Sequence, residues 1–168
     1  MFPWPLALLF FMPSILNRSL LLLALFVIVA IIAMVFVIVR SRPGGVTAVA
    51  EVKIGARVYQ AEVAHTALRQ ARGLSYRDSL SADTGMLFPF VSPGRYPFWM
   101  KGMRFPLDFI WIADTKVIQI MEHIAPDPGL TPNIYKPDAP VTAVFELNAG
   151  TVAKDGLRVG DDVTIQYH

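Results

Sequence analysis

A run of apolar residues at positions 20–39 constrains this chain more than any other feature. It holds 20 consecutive residues without a charged, amide or hydroxyl side chain, and it lies between Arg18 and Arg40. A helix rises about 1.5 Å per residue, so a helix of this length is about 30 Å long and matches the hydrocarbon core of a bilayer. The run therefore predicts one N-terminal transmembrane helix.

A cleaved secretory signal peptide is the alternative interpretation of these residues. The apolar region of a signal peptide has about 7 to 15 residues and is followed directly by small residues at the cleavage site. The run at 20–39 is longer, and the nearest such pattern, at 48–50, lies well downstream. The sequence therefore favours an uncleaved anchor at 20–39, with an apolar head at 1–19 and a linker at 40–45. The head is interrupted by prolines, and Met12 is an alternative start.

The net charge of +2 belongs to this N-terminal segment. Residues 1–42 carry three basic and no acidic side chains, whereas the remaining 126 residues carry 12 basic and 13 acidic ones. A domain without a basic excess is a poor candidate for binding nucleic acid. One span before a segment of ordinary composition excludes a polytopic transporter and a disordered chain. The absence of cysteine excludes a disulfide scaffold and thiolate metal sites.

The segment 46–168 has the pattern of a β-rich domain. Residues 46–54 and 57–64 alternate around Gly55 as a hairpin does, and Thr66 begins a short helix at 67–72 that Gly73 ends. A second helical turn is predicted at 149–155. Six further strands are predicted at 85–90, 97–100, 107–112, 116–124, 142–147 and 163–167. The fold class is thus α+β, mainly antiparallel, a barrel or sandwich-like domain with two short helices.

Residues 126–140 are predicted to form an ordered surface loop. They include five prolines in 15 residues and show no hydrophobic periodicity. Loops of this length often carry binding function, but a rigid crossover between strands is an equally good interpretation.

A series of short motifs in the domain resembles the family known as domain of unknown function 192. The resemblance covers about residues 46–165. The motifs, in chain order, are Arg72-Gly73-Leu74, Arg77, Gly85-Met86-Leu87-Phe88, Phe98-Trp99-Met100-Lys101, Pro106-Leu107-Asp108, Tyr135, Glu146, Gly150 and Gly160-Asp161. The resemblance implies a small β-rich domain behind an export signal or anchor, hence on the extracytoplasmic side, and it brings no established reaction. Charge counting leans weakly the other way, because the N-terminus and Arg18 face Arg40, Arg42 and Lys53 across the run.

Six residues are candidates for a ligand-binding site. In the extended stretch 98–101, Trp99 and Lys101 share one face, and Asp108 opens the next strand. A hairpin would place the three side chains near its mouth. A structural ion pair between Lys101 and Asp108 is the plainer alternative. Arg72 and Arg77 flank Gly73 and could hold one anion or carboxylate, or one of them could fasten the turn to Glu146 or Asp78. Glu146 points away from the sheet face that Phe145 and Leu147 bury.

These residues support two functional hypotheses. The favoured one is a membrane-anchored extracytoplasmic module that binds a small molecule or saccharide, a peptide or an envelope protein through Trp99 and the charged side chains. The alternative is a small hydrolase or lyase with Asp108 or Glu146 as general base. A purely structural role for the motifs is a third option. His65, His123 and His168 have no metal-ligand spacing, so no metal and no cofactor are predicted.

Overall fold

The computed structural model describes residues 18–40, 48–129 and 131–168. The chain divides into two units, Met1–Val46 and Thr47–His168. In the first unit, helix α1 (Arg18–Arg40) extends over 23 residues. Its described side chains, such as Leu23, Phe26 and Ile32, are apolar and exposed. Within the described parts of the chain, no helix combines the length and the hydropathy that a membrane span requires. The anchor at 20–39 therefore stays a prediction, and most of the predicted head and linker lies outside the described residues.

The described residues of the second unit form seven strands and two short helices. In chain order they are β1 (Val49–Ile54), β2 (Arg57–Val63), α2 (Ala67–Arg72), β3 (Thr84–Gly94), β4 (Leu107–Ala113), β5 (Lys116–Ile124), β6 (Val141–Asn148), α3 (Thr151–Asp155) and β7 (Val163–Tyr167). The predicted hairpin, the helix at 67–72 and five of the six further strands are therefore present, with shifts of a few residues at their ends.

The strands form one open sheet in the order β5-β4-β6-β3-β2-β1-β7. Neighbouring strands are antiparallel except β2 and β3, which are parallel and are connected through α2. The predicted class, mainly antiparallel, is confirmed, but the barrel or sandwich is not formed as a closed sheet. One isolated bridge, between Lys116 and Asp162, and a hydrogen bond from the Val117 N–H to the Asp161 carbonyl connect the start of β5 to the residues before β7.

Alternating side chains give the sheet two apolar faces. One face, here called the inner core, includes Val52, Ile110 and Phe145 and is covered by α3 through Val152. The other face, here called the outer core, includes Phe88, Phe109 and Trp111. Most consecutive residues of β4 and β6 are buried. Because successive strand residues point to opposite faces, both faces of these two strands are therefore covered.

Residues 95–106, here called the covering segment, lie over the outer core. The sequence predicts a strand at 97–100 that pairs with 107–112, and this prediction is wrong. Phe98 pairs only with Tyr135, in an isolated bridge, and β4 pairs with β5 and β6 along its two edges. No edge of β4 is therefore left for another strand. The alternation of the side chains persists nevertheless: Phe98 and Met100 are buried, Trp99 is half-buried and Lys101 is exposed.

The proline-rich residues 126–140 form an irregular loop, as the composition predicts, apart from the bridge at Tyr135 and with residue 130 undescribed. Asp127 organises this loop. One of its carboxylate oxygens accepts from the Met100 N–H at 3.1 Å, and the other accepts from the Asn133 side-chain amide at 2.9 Å. The loop is thereby fastened to the covering segment.

Candidate functional site

A cavity of about 260 Å³ opens between α2, β3 and the covering segment, on the outer-core side of the sheet. It is called the aromatic cavity below. Its lining comprises Ala67, Gln70, Ala71, Arg72, Gly73, Leu74, Ser75, Phe88, Phe90, Tyr96, Pro97, Phe98, Trp99, Met103 and Glu146. Its volume is just below the range of roughly 300–1,000 Å³ that is usual for small-molecule sites, so it would hold a small ligand.

Burial increases from the rim of the aromatic cavity to its floor. Ala71 and Arg72 at the end of α2 are exposed, whereas Phe98 and Glu146 are buried. Five lining residues are aromatic, namely Phe88, Phe90, Tyr96, Phe98 and Trp99. The Phe90 and Tyr96 rings stack with centroids 3.7 Å apart, and the Phe88 and Phe98 rings meet edge to face at 5.0 Å. The walls are thus apolar and built from rings that fix one another.

Strand alternation explains why Glu146 faces this cavity. Phe145 and Leu147 point into the inner core, so Glu146 between them points to the outer core. Its partners across the neighbouring strands are Met86 on β3 and Phe109 on β4, and both are buried apolar residues. The carboxyl group therefore lies on an otherwise apolar face.

The carboxyl group of Glu146 has no partner of its own. The residue is 5% exposed, and among the described residues no hydrogen-bond donor and no charged group acts on the carboxyl, since burial alone shifts its pKa. Burial raises its pKa from 4.5 to about 8, since the charged form is poorly solvated there. At neutral pH the group is mainly protonated, and it is able to donate or accept a hydrogen bond to a molecule in the cavity.

Helix α2 and the following turn form the second wall. Thr66 caps the helix by accepting from the Arg69 N–H at 3.2 Å, as the sequence predicts, and Gly73 follows with φ +49°. A Cβ at Gly73 would lie 3.5 Å from the Phe88 ring, so the chain passes close to the cavity wall. The Ser75 hydroxyl then donates to the Lys101 carbonyl at 2.9 Å and ties this turn to the covering segment.

Three of the six predicted site residues line the aromatic cavity: Arg72, Trp99 and Glu146. Arg72 is exposed at the rim, Trp99 is half-buried in the wall and Glu146 lies at the floor. They come from α2, the covering segment and β6, which are distant in the sequence. The structure therefore brings together half of the predicted set.

Arg77 lies elsewhere, so the predicted convergence of Arg72 and Arg77 on one anion does not occur. Arg77 forms a bidentate ion pair with Glu62, with one N–O distance of 2.8 Å, beside a separate pocket of about 220 Å³. The hydrogen bond from Arg77 lowers the pKa of Glu62. Because the guanidinium is already engaged by a carboxylate, it is a weak candidate for a ligand site.

Lys101 and Asp108 are not an ion pair, contrary to the structural alternative drawn from the sequence. Asp108 is fully buried, and its two carboxylate oxygens accept from the His123 and Val152 backbone N–H groups, at 2.9 and 3.0 Å. Lys101 is exposed, and no described acidic side chain pairs with it. Neither residue lines the aromatic cavity.

Sequence reasoning did not single out several residues of the cavity. Gln70, whose amide donates to the Pro89 carbonyl at 3.2 Å, and Tyr96 carry no motif. Phe88 and Phe98 stand within quoted motifs, but their alternation indicated only burial. In the described part of the chain, no three His, Cys, Asp or Glu side chains are grouped to hold a metal ion.

Comparison with known proteins gives one family and two similar solved structures. The model of the family DUF192, described as "Uncharacterized ACR", matches residues 49–165. A crystal structure of a protein of unknown function from Novosphingobium aromaticivorans is 30% identical with a TM-score of 0.66, covering 73% of this chain and 89% of that chain. A protein from Sinorhizobium meliloti, described as a proposed transcription regulator, is 34% identical with a TM-score of 0.66, covering 72% and 97%. No curated protein gives a significant match.

Proposed function

Because the chain belongs to the DUF192 family, whose description assigns no activity, we propose a function from the geometry of its cavity. The domain binds a small, largely apolar ligand in the aromatic cavity, with the polar group of the ligand against Glu146. One observation carries this proposal. A buried carboxyl group without a protein partner lies at the floor of a cavity whose walls contain five aromatic rings. Buried polar groups are normally hydrogen-bonded, so this one is ready to bind a ligand.

The lining favours a small apolar ligand over a saccharide or a peptide. A saccharide presents many hydroxyl groups, and each needs a hydrogen bond once it is removed from water. The cavity offers few, because the Gln70 amide and the Ser75 hydroxyl already donate to backbone carbonyls. An aromatic or branched aliphatic group with one polar end matches the walls better.

We also propose that residues 20–39 anchor the domain in a membrane and that the domain lies on the extracytoplasmic side. The support is the uninterrupted apolar sequence and the helical, apolar residues of α1 between Leu22 and Met34. The extracytoplasmic side is what the family resemblance implies, because domains of this family often follow an export signal or anchor in the sequence. An anchored module of this kind would capture its ligand close to the membrane.

An acid–base enzyme is the second candidate, and the pKa of Glu146 supports it. A carboxyl group with a pKa of about 8 is protonated at neutral pH and is suited to act as a general acid. Asp108, the other carboxylate of the sequence hypothesis, is held by two backbone N–H groups away from the cavity. An enzyme would therefore depend on Glu146 and on Arg72 at the rim.

The proposal is tested by blocking the cavity. In the full chain in detergent micelles, ¹⁹F NMR measures the binding of 4-fluorobenzyl alcohol and 4-fluorobenzylamine. Ala71→Trp places an indole at the mouth of the cavity. Because a ligand must enter the cavity to lose its water, we expect the indole to weaken the binding of whichever compound binds by at least about tenfold. Ala153→Trp, on the exposed face of α3, is the matched control and should leave binding unchanged.

Two results would overturn the proposal: no binding of either compound, or binding that Ala71→Trp and Ala153→Trp affect equally. Hydrolysis of an ester of 4-fluorobenzyl alcohol, abolished by Glu146→Gln, would instead favour the enzyme.

A further inference from the structure

We propose that the ligand of the aromatic cavity is an organic ammonium ion whose charged group sits against the Glu146 carboxylate and the faces of the surrounding rings. This inference rests on the proposed function and deepens it, because it names the chemical class of the ligand. It follows from the presence of a carboxyl group at the floor of the cavity and from the lack of a cation beside it among the described residues.

The floor contains an acidic group and no cation to balance it. Of the residues that line the cavity, Arg72 and Tyr96 are the other titratable ones. Arg72 is exposed at the rim and forms no ion pair with Glu146. The Tyr96 hydroxyl donates to the Ser92 carbonyl at 2.7 Å and is thereby engaged. The cross-strand partners Met86 and Phe109 are apolar.

A buried carboxylate requires a cation or several hydrogen-bond donors. The described residues provide neither to Glu146, so the carboxyl group stays protonated while the cavity holds no cation. An ammonium ion in the cavity would supply the missing charge together with N–H donors. It would therefore convert Glu146 to its ionised form and release the carboxyl proton to solvent.

The walls suit the same ligand. A cation over the face of an aromatic ring is attracted by the negative π-electron density, and Trp is the strongest of the ring types. Phe88, Phe98 and Trp99 line the cavity, and the first two are buried while Trp99 is half-buried. A ligand that fills the cavity would displace water from around Glu146, and the lower local dielectric would strengthen both the ionic and the cation–π contacts. A neutral ligand would gain the apolar contacts but neither of these.

The competing class is a neutral ligand that accepts a hydrogen bond from the protonated carboxyl. The two classes respond to pH differently. An ammonium ion binds the ionised carboxylate, so its affinity rises with pH up to the pKa of about 8. A neutral acceptor binds the protonated carboxyl, so its affinity is nearly constant below this pKa and falls only above it.

The test compares 4-fluorobenzylamine, which is cationic below about pH 9, with 4-fluorobenzyl alcohol, its uncharged isostere. Dissociation constants are measured by ¹⁹F NMR with the full chain in detergent micelles at about pH 6, 7 and 8. We expect the amine to bind at least about tenfold more tightly at pH 8 than at pH 6, and more tightly than the alcohol at pH 8. Glu146→Gln should abolish the pH dependence, while Glu122→Gln, an exposed carboxyl on β5, should preserve it.

The outcomes separate this inference from the proposed function. If the alcohol binds as tightly as the amine and Ala71→Trp weakens both, the cavity binds ligands but the ammonium class is wrong. The same conclusion follows if amine binding does not depend on pH or on Glu146. If neither compound binds, both the inference and the proposed function are overturned.

Discussion

Two buried carboxyl groups in neighbouring strands, Asp108 and Glu146, show how strongly the surroundings decide a residue's role. Asp108 pairs across the sheet with Leu147, a residue of the inner core, and cross-strand partners share a face. Glu146, one residue earlier on β6, therefore faces the opposite side. Asp108 receives two backbone hydrogen bonds, whereas Glu146 receives none among the described residues. The first carboxyl is structural, and the second is the candidate for chemistry.

The raised pKa of Glu146 predicts a pH-dependent stability. Its pKa is about 8 in the folded protein and 4.5 ordinarily, so between these values the folded state holds a proton that the unfolded state has lost. The stabilising contribution is complete below about pH 4.5 and is lost as the pH rises to about 8. Relative to Glu146→Gln, the wild type should lose up to about 1.4 kcal/mol of unfolding free energy per pH unit in this window.

Denaturant unfolding of the full chain, followed by tryptophan fluorescence at several pH values, measures this difference. Glu122→Gln, at an exposed site, serves as the control and should follow the wild type. Equal pH dependence of wild type and Glu146→Gln would show that Glu146 ionises normally in the folded protein.

At the scale of elements, Asp108 holds three of them together. The pairing of β4 with β5 shifts register between Leu107 and Phe109, and His123 at this bulge has φ +56°. A bulge leaves a backbone group outside the ladder, and here Asp108 accepts from the His123 N–H. Its other oxygen accepts from Val152 in the first turn of α3, where the N-cap residue Gly150 offers no side chain. A single side chain from β4 thus satisfies the bulge in β5 and caps α3.

Asp108→Asn is therefore expected to destabilise the domain. The amide keeps one acceptor oxygen but turns an NH₂ group towards one of the two N–H donors, which leaves that donor unsatisfied in a buried place. The expected loss is about 3 kcal/mol of unfolding free energy, measured by denaturant unfolding. Hydrogen exchange at the His123 and Val152 amides should accelerate.

Asp114→Asn, at an exposed turn, is the matched control and should change stability by less than about 0.5 kcal/mol. A stable Asp108→Asn variant with unchanged exchange at both amides would contradict the structural role of Asp108.

The covering segment shows where element prediction from sequence reaches its limit. Residues 97–100 alternate as a strand does, and the burial alternates accordingly. Whether such a segment joins a sheet depends on a free strand edge, and the edges of β4 are occupied by β5 and β6. Asp127, from the proline-rich loop, instead accepts from the Met100 N–H. This partner is 27 residues away, so local periodicity carries no information about it.

For the whole molecule, the proposed anchor and domain lead to a prediction about membrane orientation. If residues 20–39 anchor the protein and the domain is extracytoplasmic, a reporter fused after His168 in a bacterial host should be active when it requires export and inactive when it requires the cytoplasm. Deleting residues 1–42 is the control, because the domain would then stay in the cytoplasm and reverse both signals. Activity of the cytoplasmic reporter on the full chain would place the domain on the other side, as charge counting suggests.

The sequence by itself determined the features that depend on neighbouring residues. These are the apolar run at 20–39, the capped helix after Thr66, most strands of the mainly antiparallel sheet and the position of Glu146 on the sheet face opposite Phe145. Each follows from a local periodicity, a capping preference or a composition, which requires only a few adjacent positions.

Only the tertiary structure decided which side chains meet. Arg72, Trp99 and Glu146 line one cavity because β3 lies between β2 and β6 and because the covering segment folds over the outer core. Arg77 is bound to Glu62 instead, and Asp108 faces the inner core with α3. The physical reason is that strand order and segment placement arise from packing between residues far apart in the chain. The burial that raises the pKa of Glu146 therefore exists only after that packing is complete.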